Sequence, residues 1–352
     1  MERRTFMNRD GIIDEIQKRF IRNGDNILLG QETGYWSNLD QNENDEFIRY
    51  IKEAPSVRDA VMAKYPQYYD VIFSPKREAG LELLELKGTE CCIDYGCMWG
   101  ALSLPLAKRT RFVLGVDQTL QSLVFLRHRI ENENLKNIDL LCENLNKIPI
   151  FKSKFDVAIV NGVLEWIPEI GKIELKRYFG KKDSKTYFIN PKDMQIAFLK
   201  NVYANLNPGG KLYLAIENRY DFKMFFGIKD PHANLMFTSI LPRKLASFIS
   251  TQKLSRPYVN WLYSFPELNN ILKDIGFNKV NLYCCFPDYR FPEFISQYEH
   301  KLVGFSSTIT ARNADGKLNT RHAAGKIIEL LLFKYLKIKF FAPSIVAIAK
   351  KN

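Results

Sequence analysis

From Cys91 onward, short apolar runs alternate with segments of helical periodicity, which points to repeated β-α-β units around a mostly parallel sheet. The runs are Cys91 to Asp94, Phe112 to Asp117, Ile138 to Cys142, Val157 to Val160 and Leu212 to Ile216. The fourth is apolar throughout, as a strand covered on both faces requires. A helix through Lys108 follows the first run, with Pro105 tolerated only near its start, where amides lack intrahelical acceptors anyway. The next helix presents Leu120, Leu123, Val124 and Ile130 along one face. Another spans about Met194 to Leu206 and meets the turn Asn207-Pro208-Gly209-Gly210.

The segments flanking this unit are less regular. Residues 1–80 read as a cap of irregular structure and short helices, ending in a helix from about Lys76 to Leu86. Residues 81–217 form the first α/β part, and 218–263 an aromatic-rich insertion. In 264–352 the sheet resumes, interrupted by a second insertion over about 286–341. Ser264 with Glu267 three positions on makes a capping box; Leu268, Ile271, Leu272 and Ile275 form the buried stripe, and Gly276 ends the helix. Strands at about Lys279 to Cys285 and Ser344 to Ala349 complete the expectation. The predicted fold class is α/β: a doubly wound, mostly parallel seven-stranded sheet with an antiparallel last strand and lid insertions.

Charge and cysteine usage narrow the setting. The formal net charge is +12, and from Lys301 onward ten Lys and Arg face only Asp315 and Glu329, a surplus of +8. Such a surface favours anionic partners, acidic membrane and nucleic acid among them, or simply keeps the protein soluble. The six cysteines show no CxxC spacing, and adjacent pairs close a disulfide only with strain. This predicts a reducing compartment and no structural zinc. The N-terminus lacks the apolar core of a signal peptide. A cytoplasmic protein is expected, with peripheral membrane contact through the basic, apolar stretch Ile327 to Phe341 as one reading and a helix packed on the sheet as the other.

Ligands of doubly wound folds bind beyond the carboxyl ends of the strands. Asp94, Gly96 and Gly100 follow the first strand, and the glycines let backbone approach a ligand closely. Asp117 ends the second, where a carboxylate can accept both hydroxyls of a ribose. Glu143 and Asn144 follow the third, where an adenine edge would lie, and Asn161-Gly162 follows the fourth. A lone aspartate at a strand end is commonly just a turn residue; the ordered set carries the argument.

On these residues the run from Ile93 to Trp166, with Asn207 to Gly210, resembles class I S-adenosylmethionine-dependent methyltransferases. The resemblance places the family's glycine loop on Asp94, Gly96, Met98 and Gly100, and its ribose-binding acid on Asp117. It also aligns Phe155-Asp156, Val163-Leu164-Glu165 and Pro208 to Gly210 with family motifs. Met98 departs from the pattern, because it stands where the family has a glycine. If that position needs positive φ, the steric cost is roughly 1 kcal/mol or more. A narrower likeness, to methyltransferases associated with bacterial surface-glycan assembly, rests on Ile216-Glu217-Asn218-Arg219, Asp230-Pro231-His232, Arg256-Pro257-Tyr258 and Phe286-Pro287-Asp288-Tyr289.

The resemblance implies S-adenosylmethionine as cofactor and in-line methyl transfer, in which alignment supplies much of the rate. A hydroxyl acceptor also has to lose a proton, and His232, assisted by Asp230, is the candidate base; its alternative role is capping. Glu165 is the second candidate, or a turn-shaping residue. Arg219 and Arg256 suit an anionic group of the substrate, and Trp261 a sugar ring. Most of the insertion's aromatics are expected to fill its own small core. The carboxylates are too scattered along the chain to argue for a metal. The first function reading is O-methylation of a sugar or glycan, lipid- or nucleotide-linked variants included, with other small-molecule acceptors open. An RNA methyltransferase is the alternative from charge, although no base-clamping Asn-Pro-Pro-Tyr motif stands at Asn161 to Leu164. A non-catalytic scaffold is the alternative from Met98.

Overall fold

The computed structural model describes residues 2–30, 41–54, 56–169, 190–310 and 319–352. Parts of the expected N-terminal cap and second insertion lie outside these residues. In chain order the strands are β1 (Ile21–Arg22), β2 (Leu28–Leu29), β3 (Cys91–Tyr95), β4 (Phe112–Asp117), β5 (Ile138–Cys142), β6 (Phe155–Asn161), β7 (Leu206–Glu217), β8 (Phe277–Phe286), β9 (Phe294–Gln297) and β10 (Ser344–Lys351). They form one sheet in the order β1-β2-β5-β4-β3-β6-β7-β10-β8-β9. The five pairings from β2 through β7 are parallel, and those of β1 with β2, β7 with β10, β10 with β8 and β8 with β9 are antiparallel.

Among the described residues the seven-stranded expectation is thus corrected to a mixed sheet of ten strands. The unforeseen strands are short edge pieces of two to four residues, too brief to show a periodicity of their own. The expected α-helix at Lys76 to Leu86 is a 3₁₀ stretch over Pro75–Leu84 instead.

Alternation along each central strand covers both faces. Ile93, Tyr95, Leu114, Val116, Ala158 and Val160 pack into one apolar layer with Ile12 and Ile16 of the helix Glu2–Arg19 and with Phe198, Leu199 and Val202 of the helix Pro191–Asn205. Cys92, Val113, Val157 and Ile159 face the opposite layer, against Leu104 and Leu106 of Ser103–Arg109 and Leu123, Leu126 and Ile130 of Leu120–Asn132. The result is a three-layer α/β/α sandwich.

Chain order runs outward from β3 through β4 to β5 on one side, and through β6 to β7 on the other. Connections therefore diverge between β3 and β6 and open a crevice at their carboxyl ends.

Two local expectations hold in detail. The Ser264 capping box forms on the helix Phe265–Ile275, and Gly276 ends that helix at φ 122°. The Asn207 to Gly210 turn lies inside β7 rather than before it. Register jumps from Phe155 opposite Leu206 to Val157 opposite Lys211, so the turn bulges out of the strand. All six cysteines are buried free thiols, and no described helix is long and apolar enough to cross a membrane.

Candidate active site

The loop after β3 folds back onto β4. The amides of Gly96 and Cys97 both donate to the Val116 carbonyl, at 2.8 and 3.0 Å. The Met98 amide donates to Asp117 Oδ2 at 2.9 Å, and the Thr119 amide to Asp117 Oδ1 at 2.9 Å. Asp117 is therefore first of all the clamp of its own loop. The Thr119 side chain and the Gln118 amide bond to the same carboxylate, so a ribose hydroxyl would share it with several donors of this loop. Burial raises the pKa of Asp117, while the amides of Thr119 and Met98 pull it back.

Met98 does adopt positive φ, 46°. Its side chain packs against an apolar cluster in which Phe47 and Val61 of the N-terminal cap meet Trp99 and Phe125.

Gly96 (φ 72°) is required by a neighbour: a Cβ there would stand 2.5 Å from Val163 Cγ2, across the crevice after β6. Asp94 is buried and accepts from Ser103 Oγ at 2.5 Å, bracing the entry to the next helix; burial pushes its pKa up to about 7 despite that donor.

After β5, Glu143 Oε1 accepts from the Asn144 amide and Asn144 Oδ1 from the Asn146 amide, both at 2.8 Å. A Cβ on Gly30 would meet Glu143 Oε2 at 2.2 Å, so the N-terminal chain passes close beside this carboxylate. Asn161 Oδ1, at the end of β6, is buried without a hydrogen-bond partner. Gly96, Asp117 and Asn161 thus end three neighbouring strands around one crevice. Its glycine backbone, buried acid and unpaired acceptor fit an adenosyl cofactor with a charged amino-acid end.

Beside this crevice four distant segments converge. His232 Nε2 lies 3.8 Å from Glu165 Oε1 and 3.8 Å from Glu217 Oε2, and Nδ1 lies 3.4 Å from Asp230 Oδ1. Asp230 Oδ1 accepts from the amides of His232 and Ala233 at 2.8 and 3.0 Å, and Oδ2 from the Tyr258 hydroxyl at 2.8 Å. Trp166 packs edge-on to the imidazole at 4.9 Å.

Burial works against charge on His232, yet Asp230, Glu165 and Glu217 together hold its pKa well above the ordinary imidazole range. Burial, with the Glu165 charge second, raises Glu217. Burial also disfavours ionised Asp230, but the imidazole, the amides and Tyr258 outweigh it and hold Asp230 low. Any base function here belongs to a cluster and not to a single imidazole.

The expectation that no carboxylates gather is corrected by the same geometry: ligand atoms of Glu165, Glu217 and His232 all lie within 4.8 Å of one another.

The substrate candidates are placed differently. Arg219 donates to Glu267 Oε1 at 2.9 Å and to the carbonyls of Ser239 and Leu241, both at 3.1 Å. It ties the insertion to the capping box instead of presenting its charge to a ligand. Arg256 pairs with Glu169 at 2.5 Å, half exposed. Trp261 Nε1 donates to the Tyr258 carbonyl at 3.3 Å, and Arg243 covers its ring at 4.7 Å.

The insertion does have its own core, of Ala233, Ala246 and Tyr258 with Leu235, Leu241 and Trp261. Fewer of its aromatics are buried than expected, since Phe225, Phe226, Phe237 and Phe248 stay exposed.

Sequence reasoning missed Glu217, Tyr258, Tyr289 and Arg77. A Cβ on Gly162 would meet the Tyr289 hydroxyl at 2.3 Å. Burial raises the pKa of Tyr289, as do the charges of Glu217 and Glu165. Arg77 lies within electrostatic reach of Tyr289 and Asp94, with its Nε buried and unpaired. The first three stood inside the tetrapeptides and tripeptides of the narrower likeness. Arg77 gave no signal, because only the tertiary fold brings it to the strand ends.

Residues 92–176 match the family model described as Methyltransferase domain. The ubiquinone biosynthesis O-methyltransferase of Coxiella burnetii is 28% identical over 142 residues, covering 40% of this chain and 49% of that protein. A 23S rRNA uracil C5-methyltransferase of Vesicomyosocius okutanii is 26% identical over 107 residues, covering 27% of this chain and 24% of its own length. The chain thus spans about half the length, or less, of the curated relatives it matches. Phosphoethanolamine N-methyltransferase 2 of Haemonchus contortus, solved with S-adenosyl-L-methionine, aligns with a TM-score of 0.43 at 15% identity, over 87% of this chain and 60% of that one. The family-model match spans β3 through β6, the strands whose ends carry Gly96, Asp117 and Asn161.

Proposed function

We propose that this chain transfers a methyl group from S-adenosylmethionine to a hydroxyl oxygen of a sugar or glycan acceptor. The observation that carries the reading is convergence. Glu217, the Asp230–His232 turn, Tyr258 and Tyr289 come from four separate motifs and meet beside the crevice of β3, β4 and β6.

Bound there, the cofactor supplies an electrophilic methyl on a sulfonium. Gly96, Asp117 and Asn161 would hold its adenosyl end by backbone approach and by accepted hydrogen bonds. Glu165, Glu217 and His232 would face the acceptor. As the methyl-to-oxygen bond forms and the methyl-to-sulfur bond breaks, the hydroxyl proton would pass to the Glu217 carboxylate, which burial makes more basic, with protonated His232 beside it. Trp166 and the core of the insertion exclude water from that exchange. Convergence of buried ionisable groups at a strand-end crevice is the usual mark of chemistry rather than of packing.

An acceptor screen with methyl-labelled cofactor tests the reading, using glycan, lipid-linked sugar and RNA fractions. Label is expected in the glycan or lipid-linked fractions, and label confined to RNA would overturn the assignment. His232→Ala is expected to lower turnover by about 10²–10⁴-fold, the range of proton-transfer catalysis, while leaving affinity for S-adenosylhomocysteine in place. Full turnover in that variant would remove the cluster from the mechanism.

Exposed Leu331, Tyr335 and Leu336, interleaved with exposed Lys334 and Lys337, support contact with an anionic lipid surface, which suits a lipid-linked acceptor. Co-sedimentation with vesicles containing phosphatidylglycerol should exceed that with neutral vesicles and fall in high salt. Equal recovery with both kinds would refute the contact.

A further inference from the structure

We propose that Glu165, Glu217 and His232 bind one divalent first-row metal ion. Glu165 is fully buried, and both its carboxylate oxygens lack a hydrogen-bond partner, as does Glu217 Oε2. Burying unpaired carboxylate oxygens is strongly unfavourable unless a cation meets them. Among the described residues the positive charges acting on Glu217 are the imidazole and Arg290, which pairs with Asp288 instead, and 3.8 Å from the imidazole to each glutamate is too long for hydrogen bonding. A metal bonded at about 2.1 Å to three such ligands sets them roughly 3–3.5 Å apart, so small side-chain movements complete the site.

The donor set selects the ion. One imidazole nitrogen with two carboxylates suits manganese, iron, cobalt or zinc, whereas calcium prefers oxygen alone. The surroundings are those of a supported ligand. Asp230 sits behind His232 Nδ1 at 3.4 Å, itself fixed by two backbone amides and the Tyr258 hydroxyl. The Nδ1 atom is buried without a hydrogen bond in this arrangement, and a small turn of the ring towards Asp230 would give the carboxylate–histidine pairing that makes the other nitrogen a better ligand. Three strand-end or loop positions, far apart in sequence, are thereby directed at one point.

The inference deepens the function proposed above and rests on it for the ion's use, since the site adjoins the acceptor side of the crevice. Its test is of binding, so the two stand or fall separately. The full chain, freed of metal by chelation, is titrated with Mn²⁺ followed by the electron paramagnetic resonance of the free ion. A parallel titration with Co²⁺ is followed by visible absorption. S-adenosylhomocysteine affinity is measured by calorimetry on the same preparation.

One saturable Mn²⁺ per chain is expected, with Co²⁺ bands that report nitrogen and oxygen ligation. Glu165→Gln should weaken Mn²⁺ binding by at least about tenfold and leave S-adenosylhomocysteine affinity within about twofold. Asp230→Asn, which alters the positioning residue, should weaken Mn²⁺ by about 10–100-fold. If Glu165→Gln does not fold, Glu217→Gln is held to the same criterion. Absence of saturable binding at millimolar Mn²⁺ and Co²⁺, or wild-type affinity in the folded glutamine variant, overturns the metal site. S-adenosylhomocysteine binding without metal binding leaves the methyl-transfer reading standing, and its loss in the wild type sinks that reading instead.

Discussion

Asp117→Ala is expected to abolish measurable S-adenosylhomocysteine binding and to destabilise the fold by about 2–5 kcal/mol. Two effects combine. The carboxylate accepts from the amides of Met98 and Thr119, and each buried donor left unsatisfied costs about 1–3 kcal/mol. Met98 is also held at φ 46°, a conformation that a methionine leaves when its amide is released. The loop from Gly96 to Gly100 then relaxes away from the shape that lets backbone approach the cofactor.

Asp117→Asn keeps one good acceptor and should fall between alanine and wild type in both properties. Urea denaturation reads the stability, and calorimetric titration the affinity. Undiminished affinity in a folded Asp117→Ala protein would place the ribose elsewhere and remove this residue from the cofactor site.

Gly100→Ala should cost about 2–4 kcal/mol. The backbone there has φ 78°, and a Cβ would stand 2.1 Å from Leu126 Cδ1 and 2.7 Å from Leu104 Cδ1. Left-handed backbone costs a non-glycine residue about 1 kcal/mol, and overpacking a filled core typically about 1–3 kcal/mol. Both leucines are buried between the helices of the sheet's second layer, so neither can swing into solvent.

Gly209→Ala is the control. Its φ is 79°, but the nearest atom to the added carbon is 3.9 Å away, so only the backbone term applies and about 1 kcal/mol is expected. Equal losses in the two variants would show that packing around Gly100 contributes nothing. The contrast also separates two meanings of a glycine in such a loop. Gly100 is there for helix packing, whereas Gly96 gives room to Val163 at the crevice itself.

The central strands were legible because each is stabilised by side chains of its own. Val157 to Val160 alternates between two buried layers, and that demand is written in four consecutive residues. The Ser264 capping box was legible for the same reason, since both its partners lie within three positions. The strands β1, β2 and β9 were not, because pieces of two to four residues form only where an existing edge offers hydrogen bonds. The 3₁₀ stretch over Pro75–Leu84 was likewise hidden. Its Gly80 sits where a Cβ would meet the Tyr213 hydroxyl at 2.2 Å, a constraint from a strand more than a hundred residues away.

The same division runs through the site. Asp117, Gly96 and Asn161 end or follow recognisable strands, so parallel order alone sets them side by side, and the sequence by itself determined that half. The surroundings of His232 were decided only by tertiary structure. Glu165 follows β6, Glu217 ends β7 and Asp230 lies in the insertion, and nothing local aims their carboxylates at one imidazole. Arg219 shows the converse, a charge that looked available until folding gave each arm of its guanidinium a partner. Strand periodicity is a property of neighbours in sequence, whereas the electrostatics of a buried cluster depend on which distant groups share its volume and which water is excluded from it.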